Sequence, residues 1–140
     1  MKNKQYILDT NALIEFNAGT PSVLNHVLAV GAEKCCMSVV SLHELYYGAY
    51  YAKRIKKDYY EKEMRMINKL LEHFSVLDLP KNADEYAEIK NVLRETGLLI
   101  DEFDMIIAGQ ALTEGLIVIT DNIKHFSRIP GLIVENWRER

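Results

Sequence analysis

Short runs of apolar residues alternate along the chain with longer segments in which apolar residues recur every three or four positions. The first pattern predicts β-strands, and the second predicts amphipathic helices. Strands are predicted at residues 6–8, 35–40, 75–79, 116–119 and 132–134, the third of them stopped by Pro80. Runs such as Ile117-Val118-Ile119 are apolar at every position, which is typical of strands covered on both faces in a parallel sheet.

Between the strands, apolar periodicity and capping residues predict the helices. Thr10 and Asn11 are expected to cap a short helix through Phe16, and Ser41 is expected to cap the helix that carries Glu44. The remaining helices are predicted at residues 21–30, 57–74, 83–95 and 101–114, with glycines at or just after most of their ends. Strands that alternate with helices imply parallel pairing through right-handed crossovers. We therefore predict an α/β sandwich.

Length and composition are those of one globular domain spanning residues 1–140, with 49% hydrophobic and 26% charged residues. No apolar run approaches the roughly 18 residues that a membrane-spanning helix needs. Met1 to Gln5 lead into the first strand without the apolar segment of a signal peptide, so a cytoplasmic location is expected. Cys35 and Cys36 form neither a CxxC motif nor a disulfide framework, and we interpret them as small core side chains.

The net charge of −3 argues weakly against nucleic-acid binding, but recognition depends on the local distribution of charge. An acidic crevice that binds Mg²⁺ becomes neutral or positive where a phosphate would approach. The densest basic run, from Lys53 to Lys57, is more simply explained as a solvated helix end.

Four acidic residues follow the predicted strands or open the next helix. Asp9 comes directly after the first strand, and Asp121 lies just beyond the fourth. Glu44 follows the second strand closely, and Asp104 opens an apolar helix. Because strand ends and adjoining helix starts line one crevice of an open parallel sheet, we expect the four carboxylates to gather there. They would repel one another unless protons or hard divalent cations compensated their charge.

Such a cluster suits metal-dependent phosphoryl transfer. Mg²⁺ or Mn²⁺ takes oxygen ligands, lowers the pKa of a bound water and clamps the attacking and leaving oxygens of a phosphodiester. No P-loop or GxGxxG motif is present, and His43-Glu44 is not part of an HExxH motif. Taken singly, each acid also has a simpler explanation as a helix cap, a turn residue, a dipole partner or a surface charge. Their expected convergence at one sheet edge is what favours a shared function.

The acids occur in four ordered motifs: Leu8-Asp9-Thr10-Asn11, Ser41-Leu42-His43-Glu44-Leu45-Tyr46-Tyr47-Gly48, Asp101-Glu102-Phe103-Asp104-Met105-Ile106-Ile107-Ala108 and Ile119-Thr120-Asp121-Asn122. With His125-Phe126 and the segment from Gly131 to Trp137, they make the chain resemble a PIN-domain ribonuclease of the VapC toxin type over nearly its whole length. The resemblance implies a three-layer sandwich around a five-stranded parallel sheet. It also implies Mg²⁺- or Mn²⁺-dependent cleavage of RNA and inhibition by a cognate VapB-type antitoxin.

The same resemblance implies which residues form the site. Asp9, Glu44 and Asp104 match the family's acidic triad and Asp121 its fourth acidic position, so all four are expected to be catalytic metal ligands. Many relatives have asparagine at the fourth position, and aspartate is compatible with it. The candidates for supporting roles are Thr10, Asn11, Asp101, Thr120 and Asn122. For the two threonines and for Asp101, helix or turn capping is an equally good explanation.

Tyr46, Tyr47, Tyr50 and Tyr51 form two i,i+4 pairs on the helix after Glu44. We favour packing of these rings in the core or in a homodimer, with an antitoxin groove or a base-stacking surface as the alternative. A homodimer is expected.

Two other functions remain open. A haloacid-dehalogenase-like phosphatase also has an aspartate after its first strand, but it needs a second aspartate two residues later, where this chain has Asn11. A non-catalytic PIN module that only binds RNA or a protein would be expected to have lost one or more of the acids, and none is missing. The favoured prediction is a metal-dependent ribonuclease toxin.

Overall fold

The computed structural model describes residues 3–79 and 82–139, and within them five parallel strands form one sheet in the order β3-β2-β1-β4-β5. The elements in chain order are β1 (Tyr6–Leu8), α1 (Thr10–Ala18), α2 (Pro21–Val30), a 3-10 turn (Ala32–Lys34), β2 (Cys35–Ser38), α3 (Val39–Ile55), α4 (Lys57–His73), β3 (Ser75–Leu77), α5 (Ala83–Glu95), α6 (Glu102–Glu114), β4 (Ile117–Ile119), α7 (Ile123–Phe126) and β5 (Val134–Glu135).

β1 is the central strand, and its side chains alternate between two apolar clusters. Tyr6 and Leu8 pack with residues of α1, α2, α3 and α4, whereas Ile7 packs mainly with residues of α5, α6 and α7. Ile7 and Leu8 are completely buried. Because helices cover both faces of the sheet, every position of the strand has to be apolar, as its sequence is. The predicted three-layer α/β sandwich is confirmed.

The helix caps differ from the prediction at two of the strand–helix junctions. Asp9, rather than Thr10 or Asn11, caps α1 by accepting a hydrogen bond from the Ala12 N–H at 2.8 Å. Ser38, rather than Ser41, caps α3, with its hydroxyl 3.1 Å from the Val40 N–H. The predicted strand 35–40 was therefore two residues too long, because two β-branched valines that read as strand form the first turn of α3.

Two further boundaries shift for local reasons. β3 ends at Leu77 rather than at residue 79, and Pro80 lies outside the described residues. β5 begins at Val134 rather than at residue 132, because the Leu132 N–H still donates to the Ile129 carbonyl in the preceding turn. Helix α7 was missed, since four residues are too few to display helical periodicity.

The adjacent cysteines behave as core residues, as predicted. Cys35 is buried and Cys36 is half-buried, and both are free thiols. Burial raises the pKa of Cys35 to about 12 and that of Cys36 to about 11, so neither is a reactive thiolate. None of the helices in residues 3–79 and 82–139 has the length and apolar character needed to cross a bilayer.

Candidate active site

A cleft of about 280 Å³ opens at the carboxyl end of β1, between α1, α3, α6 and α7. We call it the acidic cleft. The residues that line it are Asp9, Thr10, Asn11, Glu44, Asp101, Asp104, Asn122 and His125. It brings together three of the four predicted acids and four of the five predicted supporting residues.

Asp9 is the most deeply placed of these acids, with 4% of its surface exposed. One carboxylate oxygen accepts the Ala12 N–H, and the other accepts the Thr120 hydroxyl at 2.5 Å. The pKa of Asp9 is raised to about 6, because burial raises it more than the hydrogen bonds from Thr120 and Ala12 lower it, and the nearby charges of Asp121 and Glu44 also raise it. The carboxyl group is thus held in a fixed orientation but is costly to ionise.

Glu44 extends from α3 towards α1. The Thr10 hydroxyl donates to Glu44 Oε1 at 2.7 Å and lies 3.0 Å from the Ser41 hydroxyl, which is fully buried. Burial raises the pKa of Glu44, the Thr10 hydrogen bond lowers it, and the charge of Asp101 raises it again. Thr10 therefore orients a carboxylate and so has a supporting role in the cleft, as predicted, rather than a capping role.

Asp104 lies in the first turn of α6, whose cap is Asp101. The Asp101 side chain accepts the Phe103 N–H at 3.0 Å, so it caps the helix and also lines the cleft. The pKa of Asp104 is raised to about 7, mostly by burial and then by the charges of Asp9, Asp101 and Glu44 in that order of importance. The raised pKa of Asp104 thus reflects its burial first and the carboxylates around it second.

Asp121 is placed differently from the other predicted acids. Its Oδ2 lies 3.2 Å from an Arg138 nitrogen, and Arg138 also lies 3.4 Å from Glu15 Oε2. We call these three residues the tail clamp. Asp121 lines a small cavity beneath the C-terminal segment instead of the acidic cleft, although its negative charge helps to raise the pKa of Asp9.

Thr120 connects these two regions. It is 1% exposed, donates its hydroxyl proton to Asp9 and accepts the Asn122 N–H at 2.9 Å. Its role is thus to orient the Asp9 carboxylate and to fix the turn that follows β4.

Three residues near the site were not predicted from the sequence as site residues. His125 lines the cleft, with its Nδ1 2.8 Å from Asn122 Nδ2. Its spacing of three residues from Asn122 could have indicated that contact, had the short helix α7 been recognised. Ser41 was taken for a cap. Arg138 reaches Asp121 and Glu15 across the fold, and a pairing of that kind leaves no local pattern in the sequence.

The cleft fits a hard divalent cation in the chemistry of its donors. Its ligand atoms are carboxylate, hydroxyl and amide oxygens, and its carboxyl pKa values are raised by burial and mutual repulsion. In the part of the chain described here, however, no three Asp, Glu, His or Cys side chains converge closely enough to hold an ion as they stand. Asp9 and Glu44 instead accept hydrogen bonds from protein donors. A cation would have to draw these carboxylates together.

Comparison with known proteins gives a consistent set of similarities. Residues 6–132 match the PIN domain family. The chain is 37% identical over 134 residues to Ribonuclease VapC2 of Haemophilus influenzae, which covers 95% of this chain and 98% of that protein. It is 30% identical over 134 residues to the tRNA(fMet)-specific endonuclease VapC of Salmonella typhimurium, with the same coverage. The crystal structure of VapBC2 from Rickettsia felis bound to a promoter DNA fragment contains a similar chain, with a TM-score of 0.83, 30% identity and coverage of 94% of this chain and 98% of that one.

Proposed function

This chain belongs to the PIN-domain family and, within it, to the VapC ribonucleases, and on that premise we propose that it is a divalent-metal-dependent endoribonuclease that acts as a toxin. The observation that carries the proposal is the shared cleft of Asp9, Glu44 and Asp104, in which each carboxyl group has a raised pKa. Family membership also removes the phosphatase alternative, which Asn11 had already made unfavourable.

Asp9, Glu44 and Asp104 are the residues that would hold Mg²⁺ or Mn²⁺. When bound, the cation supplies an activated water and neutralises charge on the scissile phosphodiester. Thr120 and Thr10 orient Asp9 and Glu44 through their hydroxyls, so two of the ligands are partly preorganised. Asp121 serves as a fourth, more peripheral acid that acts on Asp9 through its charge.

Structured RNA is the proposed substrate, and initiator tRNA is the first one to test, since the similar protein from Salmonella typhimurium is named for it. Purified protein should cleave labelled initiator tRNA in Mg²⁺ or Mn²⁺ and should stop doing so in EDTA. Elongator methionine tRNA is the matched control for substrate choice. Expression of the protein alone should arrest growth. A folded protein that cleaves no RNA with either cation would instead support the non-catalytic PIN module.

A VapB-type antitoxin is the proposed inhibitor, and a groove next to the cleft is its proposed site. The groove, of about 680 Å³, lies between α1, α3 and α4 and shares Thr10, Asn11 and Glu44 with the acidic cleft. A peptide bound there would cover the approach to Glu44. Gly48, which has no side chain, and Ala18, which has only a methyl group, also line the groove, so it has room for a bulky side chain of the antitoxin. Co-expression with the cognate VapB-type antitoxin should relieve growth arrest, and Gly48→Trp should weaken that relief.

We also propose a homodimer, with the tyrosine face of α3 as its contact surface. This face consists of Tyr46, Tyr47, Tyr50 and Tyr51, which are 37% to 74% exposed. Their packing in the core of a single chain, one of the interpretations of the sequence, is therefore wrong. Lys53 lies over the rings of Tyr50 and Tyr60, with its amine 5.5 and 4.9 Å from their centroids. Light scattering should give a dimer mass, and replacing Tyr47 and Tyr51 with serine should give a monomer.

A further inference from the structure

We propose that His125 binds the scissile phosphate of the RNA, by donating its Nε2–H to a non-bridging phosphoryl oxygen. The proposal rests on the ribonuclease function proposed above and adds a substrate-binding residue to it. It arises from the way in which Asn122 connects this imidazole to Asp9.

Helix α7 holds the imidazole firmly at the wall of the acidic cleft. Phe126, the next residue, is completely buried, and Ile129 is 3% exposed, so the short helix is anchored in the core. His125 itself is half-buried and faces the cleft that holds Asp9, Glu44 and Asp104. Its position relative to these acids is therefore set by packing.

A chain of hydrogen bonds joins His125 to Asp9. The Asn122 side-chain amide lies 2.8 Å from His125 Nδ1, and the Asn122 backbone N–H donates to the Thr120 hydroxyl at 2.9 Å. That hydroxyl donates in turn to Asp9 Oδ2. The imidazole is thus tied to the same turn that orients the deepest carboxylate of the site.

Asn122 also determines which ring nitrogen of His125 carries the proton. An amide NH₂ group can only donate, so Nδ1 accepts, and the proton of the neutral ring is on Nε2. In this tautomer Nε2 has no lone pair available to ligate a cation. It can serve only as a donor, and its partner has to be an acceptor.

An RNA phosphate needs such a donor in this cleft. The carboxylates of Asp9, Glu44 and Asp104 repel an anion, and the hydroxyls of Thr10 and Thr120 already donate to two of them. Among the described residues that line the cleft, the side-chain N–H donors are Asn11, Asn122 and His125, and the Asn122 amide already contacts His125. A fixed N–H here would orient the phosphate where a cation alone leaves it free to rotate.

Two amide substitutions at position 125 test whether the Nε2–H donor, rather than the imidazole ring as a whole, is needed for cleavage. His125→Asn places an amide near the position of Nδ1, which keeps a partner for Asn122 and deletes the distal donor. His125→Gln reaches about as far as Nε2 and restores an N–H there. Removing one donor to a reacting phosphate is expected to lower kcat/KM by about 100-fold, so His125→Asn should lose that much and His125→Gln no more than about 10-fold.

The control variant is His73→Asn. His73 is exposed at the end of α4, next to the start of β3, so it lies at the amino edge of the parallel sheet and away from the cleft. Its substitution should leave cleavage unchanged. The rise in melting temperature caused by Mn²⁺ should be the same in both His125 variants as in the wild type, because the acids are intact.

The outcomes are distinct. If the wild type cleaves RNA and His125→Asn cleaves equally well, His125 does not bind the phosphate, while the proposed function stands. Equal losses of activity in the Asn and Gln variants would also overturn the proposal, since they would show that the imidazole ring and not its N–H is needed. Loss of the Mn²⁺ response would overturn it as well, since it would show that His125 contributes to cation binding. A wild-type protein that cleaves no RNA would overturn the proposed function and this inference together.

Discussion

The acidic cleft and the tail clamp are neighbours at the same edge of the sheet, but they compensate their carboxylates in opposite ways. In the clamp, Arg138 lies between Glu15 and Asp121 and supplies positive charge from within the chain. In the cleft, Asp9, Glu44 and Asp104 have hydroxyl and backbone partners, and among the described residues that line it there is no lysine or arginine. In the clamp, the negative charges are balanced by an arginine of the same chain. In the cleft, the carboxylate charges can be balanced only by bound protons or by a bound cation.

From this difference we expect the acids of the cleft, rather than those of the clamp, to take part in the proposed reaction. Ion pairs that are satisfied internally serve to position the chain, and here they fasten the C-terminal segment against α1. Carboxylates that are crowded without a counter-charge have raised pKa values, and groups of this kind concentrate at functional sites. The four acids predicted as one set therefore divide into a group of three and a fourth with a structural partner.

The largest expected effect is the loss of cleavage when the cleft is neutralised. Asp9→Asn and Asp104→Asn keep the shape but remove the charge that would hold a cation, so cleavage should fall by about 1,000-fold or more. The double variant should be little worse than either single variant, because the residues act as one unit. The measurement is single-turnover cleavage of labelled tRNA, with circular dichroism to verify folding.

Asp121→Asn is the matched comparison from the tail clamp. Its amide oxygen can still pair with Arg138, so cleavage should fall by only about 10-fold, or less. If Asp121→Asn reduced cleavage as much as Asp104→Asn does, the proposed functional difference between the acidic cleft and the tail clamp would be wrong.

The second expected effect concerns the dependence of stability on pH. The pKa of Asp9 rises from 3.8 to about 6 and that of Asp104 from 3.8 to about 7, so between about pH 4 and pH 7 the folded protein holds protons that the unfolded chain has released. Without metal, the free energy of unfolding should therefore decrease as the pH rises through this window. Urea unfolding in EDTA at a series of pH values measures it.

The Asp104→Asn variant tests whether Asp104 contributes to this pH dependence of stability. It removes one of the two titrating groups, so its stability should depend less on pH and should exceed that of the wild type near neutral pH. A wild type that instead becomes more stable as the pH rises from about 4 to about 7 would show that the cleft carboxyls are not the crowded groups described here.

The smallest expected effect is on the tail clamp. Arg138→Gln leaves Glu15 and Asp121 without their shared cation, and because all three side chains retain some solvent contact the loss in stability should be about 1 kcal/mol. Lys124→Gln, at an exposed position of α7, is the control and should have no measurable effect. Urea midpoints measure both. Greater stability in Arg138→Gln would contradict the assignment of the clamp.

Much of this architecture is predictable because its determinants are local. The apolar run at β1 and the acid directly after it indicate a buried strand with an acidic cleft at its carboxyl end, and the structure has both. The boundary of α3 was misplaced because Val39 and Val40 suit either a strand or the first turn of a helix, and the capping bond of Ser38 decides between them. Asp121 pairs with Arg138, which is 17 residues away in the chain, and a short sequence motif gives no indication of such a contact.

The central claim is that the acidic cleft, and not the tail clamp, is where a divalent cation compensates the carboxylates. The most direct test is the melting temperature at a slightly alkaline pH with Mn²⁺ and with EDTA, for the wild type, Asp104→Asn and Glu15→Gln. We predict that Mn²⁺ raises the melting temperature of the wild type and of Glu15→Gln by several degrees through mass action and leaves that of Asp104→Asn nearly unchanged. No response in the wild type, or a response lost in Glu15→Gln and kept in Asp104→Asn, would contradict the claim.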